Sequence, residues 1–444
     1  MDKKYIVFGL VAVVIVAGAA VAAYLILDDD DDSDVPVNYD GRLMIYGNAT
    51  NDDYLDEDDL DFIESIVSGD AAWDRSKNPY ADANNDGSVD AADVEFVKRL
   101  INREPMMIWY HDDKYGPSEI KYPLKNIAVM GNTQLIRVQA LDIIDRVQGI
   151  SGTGLSFDNV LHKTVSEKPR ISTSTLKLDL AMYSEVSQMI PGGFDAVYCS
   201  EKVPQNDDFL LKNGLPMMHL EGITVDGEMR TYLTLGYLTQ AEERSHELVE
   251  FMDDVYRQVN EKISTIPESE RVTGTFDFGP AMGTIGGALR PNTHSGTDRM
   301  YMAGLVNNVT EADLGGPSKS INKGDVWQLS DKFQADINVA SLTGIGYQTS
   351  IQQLADLWND RFLNPEFSMT KMDAYPNFII MSHDACGAVY VPYLAEYLYP
   401  DLFEEGFAVN IHQEWGDRFF VDLQGFDASK VNVLVGYEDV KPYL

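Results

Sequence analysis

The most specific chemistry in this sequence lies in one run of twelve residues, Asp82-Ala-Asn84-Asn-Asp86-Gly87-Ser88-Val-Asp90-Ala-Ala-Asp93. Oxygen-bearing side chains recur along it, and Gly87 stands at its sixth position. A hard cation such as calcium takes roughly six to eight oxygen ligands, and glycine at that position permits the sharp turn that folds them inward. The run predicts a calcium loop with Asp82, Asn84, Asp86, Ser88, Asp90 and Asp93 as ligands, although its last residue is Asp where Glu is usual. Thirty-four residues earlier a weaker copy appears as Asn48, Thr50, Asp52, Asp56 and Asp59, with Asp53 in place of the glycine. Apolar residues at helical spacing follow each loop: Leu60, Ile63, Ile66 and Val67, then Val94, Val97, Leu100 and Ile101. An acidic turn that only caps a helix would leave the same trace.

A second set of candidates is scattered and needs a fold to assemble it. Residues 126–130, 194–198 and 215–220 are strand-like apolar runs, and so are 272–278, 335–340 and 378–381. The turns after them carry Asn132 and Thr133, Tyr198 and Cys199, His294 and Ser295, Tyr347, and His383, Asp384 and Cys386. Open α/β sheets bind ligands at strand C-termini, so these polar residues are the candidate ligand contacts. The two histidines and two cysteines could instead serve their turns and the core. Between the two groups of strands lies 239–267, with Leu248, Met252, Val255, Val259, Ile263 and Ile266 on one helical face. Thr239 followed by Glu242 reads as a capping box, and Pro267 as a stop. Such a helix spans roughly 40 Å and predicts two α/β lobes, 119–238 and 268–444, joined by one rigid element.

Net charge bounds the partners. The chain has 444 residues, a net charge of −37 and a pI near 4.3, which argues against nucleic acid. About half of that charge falls in residues 28–113. Two cysteines give no disulfide framework. No P-loop, HExxH or GxSxG occurs, and no spacing ties Ser, His and Asp together, so no catalytic residue and no enzyme is expected. Residues 5–27 carry no charge, follow two lysines and precede five aspartates. That run is long enough to cross a bilayer with the N-terminus inside. It predicts a single-pass anchor in the cell membrane with the bulk of the chain extracellular, and 28–40 as an acidic linker. The rival reading is a cleaved signal peptide, since Ala20-Val21-Ala22 suits a cleavage site.

The paired loop–helix repeats of 41–104, with Asp at each twelfth position and no helix before either loop, resemble a type I dockerin. The resemblance implies structural calcium and a cohesin-like partner. From about residue 122 to the end, the chain resembles the substrate-binding protein of an ABC importer, of the class with one long helix between two lobes. The run Val391-Pro-Tyr-Leu-Ala-Glu-Tyr-Leu-Tyr-Pro-Asp-Leu-Phe403 and the later Ile411-His-Gln-Glu-Trp415-Gly-Asp-Arg-Phe-Phe420 look like the C-terminal signature of its archaeal members. That resemblance implies an α/β fold of two Rossmann-like lobes (a class III periplasmic-binding-protein fold). It further implies a metal complex as ligand (iron–siderophore, haem or cobalamin) and an ABC permease as partner. The alternative is a calcium-dependent cell-surface docking protein whose bilobal body has been repurposed.

Overall fold

The computed structural model describes residues 43–151, 165, 167–174, 177–200, 204–278, 288–320, 332–342, 346–347, 349–362, 377–382, 386–420 and 425–444. All of them fall in one compact unit, Tyr39–Leu444. Residues 5–27 and the acidic linker lie outside the described residues. Among the described residues no helix is long and apolar enough to cross a membrane.

The chain enters through two loop–helix units, with helices α1 (Glu57–Ser68) and α2 (Ala91–Ile101) packed together. A hairpin follows, β1 (Met106–Asp112) against β2 (Gly116–Tyr122), which sequence reading left unassigned. The first lobe is a five-stranded, wholly parallel sheet in the order β5-β4-β3-β6-β7. Its strands are β3 (Ile127–Val129), β4 (Val147–Ser151), β5 (Arg170–Ser172), β6 (Ala196–Cys199) and β7 (Met217–His219). Helix α3 (Asn132–Ala140) follows β3, α4 (Leu180–Met189) follows β5, and α5 (Asp207–Lys212) follows β6. The three residues of β3 and the four of β6 are all buried, as a sheet covered on both faces requires.

Two helices then run in succession, α6 (Val225–Thr239) and α7 (Glu242–Ile263). The expected capping box is not there. Thr239 ends α6, its hydroxyl donating back to the Leu235 carbonyl at 2.6 Å. Gln240 takes a left-handed conformation (φ 56°) that closes α6, and α7 starts from Ala241 without a side-chain cap. The expected apolar face holds for Leu248, Met252, Val255, Val259 and Ile263, all buried, while Ile266 falls beyond the helix. Val249, Phe251 and Tyr256 are buried as well, because α7 packs against α6 on one side and the second lobe on another. At 22 residues it spans about 33 Å.

The second lobe is a mixed seven-stranded sheet. Its parallel centre is β8 (Thr273–Phe278), β12 (Ile337–Leu342) and β13 (Phe378–Ser382), with β10 (Val306–Asn307) also parallel to β8. Antiparallel strands flank it: β9 (Ala288–Arg290) and β11 (Lys319–Ser320) on one side, β14 (Leu434–Gly436) on the other. Helix α8 (Thr297–Met302) comes between β9 and β10, with α9 (Glu311–Leu314) before β11 and α10 (Ile351–Phe362) after β12. Helices α11 (Gly387–Leu398) and α12 (Phe407–Phe419) follow β13 and pack on each other.

The loop–helix units are not a separate bead. Leu43, Ile45, Val97 and Leu100 share one continuous core with Tyr122 and Leu124, with Tyr237 of α6 and with Leu248 of α7. Polar contacts reinforce this seam. The Met44 amide donates to Thr234 Oγ1 at 3.1 Å, and the Tyr237 hydroxyl to the Leu100 carbonyl at 3.3 Å. Arg103 pairs with Glu242 at 2.8 Å and lies over the Tyr237 ring at 4.6 Å.

Candidate functional site

The strand order of the first lobe places a crevice. Successive strands run outward from β3 in one direction, whereas β6 lies on its other side, so the crossovers diverge between the C-termini of β3 and β6. That switch point is where open α/β sheets receive ligands. Gly131 turns the chain there with φ 109°, and a Cβ on it would lie 2.3 Å from Gln134 Oε1, so the turn needs glycine. Asn132 and Thr133 open α3, both half-buried, and no side chain caps the free N–H groups of that turn. Asn132 Oδ1 is buried without a hydrogen-bond partner among the described residues. These two residues sit where the sequence placed them.

Tyr198 is turned inward. It is fully buried in β6, its hydroxyl 3.4 Å from Arg137 Nη1. Cys199 is also fully buried, and its thiol donates to the Met218 carbonyl at 3.4 Å. In the second lobe His294 and Ser295 are half-buried in the turn before α8. His294 Nδ1 accepts from the Gly296 amide at 3.0 Å, which makes the ring part of that turn. Tyr347 faces the helical layer of its own lobe, with its hydroxyl 2.9 Å from His412 Nε2 and the Tyr393 hydroxyl 3.1 Å from Nδ1. Burial pushes His412 down to about 3, so it sits between the tyrosines as neutral imidazole. Cys386 precedes α11 and is buried, which drives its thiol far upward. His383 and Asp384 lie outside the described residues.

What brings the lobes together is a cluster that sequence reading did not single out. The segment leaving β7 is gripped from several directions. Asp112 accepts from the His219 amide at 2.8 Å and contacts its ring Nδ1 at 3.1 Å. Asp113 accepts from the Glu221 amide at 2.6 Å. Burial alone would raise the Asp112 carboxyl, but the His219 ring and amide and the Tyr110 hydroxyl bring it below the usual range. Two buried arginines, Arg137 from the first lobe and Arg299 from the second, both donate to the Gly222 carbonyl at 2.7 Å. Arg299 also pairs with Glu228 at 2.9 Å, and both side chains are almost wholly buried. Only Arg137 interrupts an apolar stretch, Leu135-Ile136-Arg137-Val138, whereas Glu228 and Arg299 stand beside other charges, Asp226 and Asp298. A charge embedded in an apolar run was the available signal for Arg137, because such a residue must be paired when buried; Glu228 and Arg299 carried no such signal.

The two acidic loops have matching hydrogen bonds. In the second, Asp82 accepts from the amides of Asp86 and Gly87, and Asp93 from those of Asn84 and Asp90. In the first, Asn48 accepts from the amides of Asn51 and Asp52, and Asp59 from those of Thr50 and Asp56. Asp56 and Asp90 are also the N-caps of α1 and α2, and Asp59 and Asp93 complete their capping boxes. Loop positions 9 and 12 therefore coincide with N-cap and third helical residue, so one spacing serves both purposes. Burial pushes the Asp59 carboxyl up to about 6, and raises Asp93 too. The donors are all oxygen, which suits calcium in kind. Among the described residues no three histidine, cysteine or carboxylate side chains converge as a metal-holding set.

No family model matches the sequence, and no curated protein does. Solved structures do. Helicobacter pylori CeuE, solved as a Ni-His complex, matches with a TM-score of 0.53 at 15% identity, over 76% of this chain and 99% of that one. The TroA-like periplasmic binding protein FepB from Veillonella parvula matches with 0.52 at 17% identity, over 70% and 95%. An ABC transporter solute binding protein from Sulfurospirillum deleyianum matches with 0.51 at 12% identity, over 76% and 98%. Sequence identity this low carries the likeness of fold alone, and that fold is the α/β architecture of periplasmic solute-binding proteins.

Proposed function

We propose that this chain is the substrate-binding component of an ABC importer, which captures a metal complex between its two lobes and delivers it to a permease. The observation that carries the reading is the architecture: two α/β lobes joined by α7, with helical arginines of both lobes, Arg137 and Arg299, converging on the Gly222 carbonyl. The structural neighbours support it, among them CeuE, whose solved complex holds Ni-His. An iron–siderophore, haem or cobalamin is the ligand class favoured by the resemblance of the chain from about residue 122 to its end. Among the described residues at the junction, no arrangement of side chains suggests turnover. The same proposal places the chain at the cell surface, held by residues 5–27 in the membrane. It assigns calcium to the loop ligands Asp82 to Asp93, with a cohesin-like module as a further partner.

The test uses the full chain. Thermal unfolding is followed against ferric siderophores, haem, cobalamin and free metal ions, each with and without calcium. A ligand at about 100 times its Kd stabilises the native state by about 2.7 kcal/mol. A shift with one chelate class establishes the reading and identifies the ligand. A folded sample that responds to none of them removes the importer reading, and a melt indifferent to calcium removes the loop assignment.

A further inference from the structure

The junction between the lobes converges on two points, the Gly222 carbonyl and the Glu228 carboxylate. Arg137 Nη1 and Nη2 donate to the carbonyls of Glu221 and Gly222 at 3.1 and 2.7 Å. From the other lobe, Arg299 Nη2 reaches the carbonyls of Gly222 and Thr224 at 2.7 and 3.2 Å and Glu228 Oε2 at 2.9 Å. Its Nη1 donates to the Tyr390 hydroxyl at 2.5 Å. Asp298 accepts from the Val225 amide at 2.7 Å, and Glu228 Oε2 also accepts from the Gly387 amide, the first of α11, at 2.8 Å. Gly222 has φ 57°, and a Cβ there would meet the Arg137 guanidinium at 2.5 Å. A Cβ on Gly387 would lie 3.0 Å from both Arg299 Nε and Glu228 Oε2. The backbone has been kept bare on both sides so that the charged groups can close in.

These contacts are directional and polar, whereas α7 meets α11 through apolar side chains of the common core, among them Val255, Val389 and Leu394. Apolar packing tolerates a small pivot. The Arg299 fork, aimed across the lobes at one carboxylate and two carbonyls, does not. We propose that Arg299 and Glu228 are positioning residues, a cross-lobe latch that fixes the angle between the lobes and hence the width of the ligand cleft. Its bearing on capture rests on the solute-binding reading, but the latch itself is a statement about geometry. The lobes are drawn together by the chain's own carboxylate and carbonyls, so closure does not wait for a ligand to bridge them.

The test reads lobe separation directly and needs no ligand, so it stands whether or not the importer reading does. Nitroxide labels are placed on the full chain at Met189→Cys in the first lobe and Lys430→Cys in the second, both well exposed. The native Cys199 and Cys386 are buried and remain unlabelled. Pulsed dipolar spectroscopy on the otherwise unaltered chain is expected to give one narrow distance. Glu228→Gln, which keeps shape and an oxygen for the Gly387 amide, and Arg299→Lys, which keeps charge but not the fork, are each expected to add a longer population. Circular dichroism of the same samples establishes that they are folded. Folded variants that keep the single narrow distance overturn the proposal and reduce the pair to packing. Should Arg299→Lys fail to fold, Glu228→Gln decides alone.

Discussion

Leu100→Ala tests whether the loop–helix units and the lobes are one cooperative body. Leu100 is fully buried in α2, in the core that also holds Tyr237 and Leu248. Truncating such a leucine costs about 3 kcal/mol, the lost transfer energy plus the cavity left behind. The compact unit Tyr39–Leu444 has about 400 residues, and unfolding entropy near 2.1 cal/mol/K per residue gives about 0.85 kcal/mol/K. The whole unit should then melt about 4 °C lower in a single transition. If residues 41–104 unfolded alone, their smaller entropy would turn the same loss into a drop of about 20 °C for a minor transition, with the main one unmoved. Differential scanning calorimetry separates the two outcomes. A new low-temperature endotherm beside an unshifted main peak would refute the shared core.

Three further outcomes are expected. Asp59 has its carboxyl raised to about 6, so its contribution is present below the unfolded value of 3.8 and lost as pH rises through about 6, a loss of about 3 kcal/mol when complete. In chelator, the stability gap between the unaltered chain and Asp59→Asn should therefore shift against the former from pH 5 to pH 8, measured by denaturant melts; a gap that ignores pH would contradict the burial argument. Gly387→Ala places a Cβ 2.3 Å from the Tyr256 hydroxyl and should cost about 1–3 kcal/mol, partly recovered by Tyr256→Phe. Equal melting points for Gly387→Ala and the parent would show that the helix start yields freely. Burial drives the thiols of Cys199 and Cys386 far upward, so neither should react with an aromatic disulfide reagent until the chain unfolds; rapid stoichiometric labelling of the native chain would count against the packing described around them.

The sequence made the architecture legible where periodicity was strong. The apolar runs around residues 127–129, 196–199 and 378–382 became fully buried strands, and the stripe from Leu248 to Ile263 became the buried face of α7. Its start was misread because Thr239 and Glu242 have capping-box spacing, while Gln240 between them adopts a left-handed turn that no pattern announces. The hairpin Met106–Tyr122 was missed because Met106-Met-Ile-Trp-Tyr110 is apolar throughout and hides the alternation that its burial shows, and because its apolar face is completed by Ile45 and by the first lobe. How far the surroundings of the candidate contacts could be read depended on how local their partners are. Asn132 and Thr133 follow from one turn and one strand. Tyr198 and Tyr347 also stand near strand ends, yet point inward, because Arg137 and His412 lie 61 and 65 residues away in sequence and only the fold brings them near. Arg299, Glu228 and Gly222 belong to the same class of long-range partners.

The seam between the loop–helix units and the body has an evolutionary consequence. A domain on a tether can be duplicated, lost or exchanged between genes, because its core closes on itself. Here Leu43, Ile45, Val97 and Leu100 complete a core whose other half is supplied by Tyr122, Tyr237 and Leu248. Excision would strip apolar surface from the helices that join the lobes, and transplantation would carry that surface exposed into a new host. The paired loops are therefore bound to this body, free to change only in step with the helices they cover.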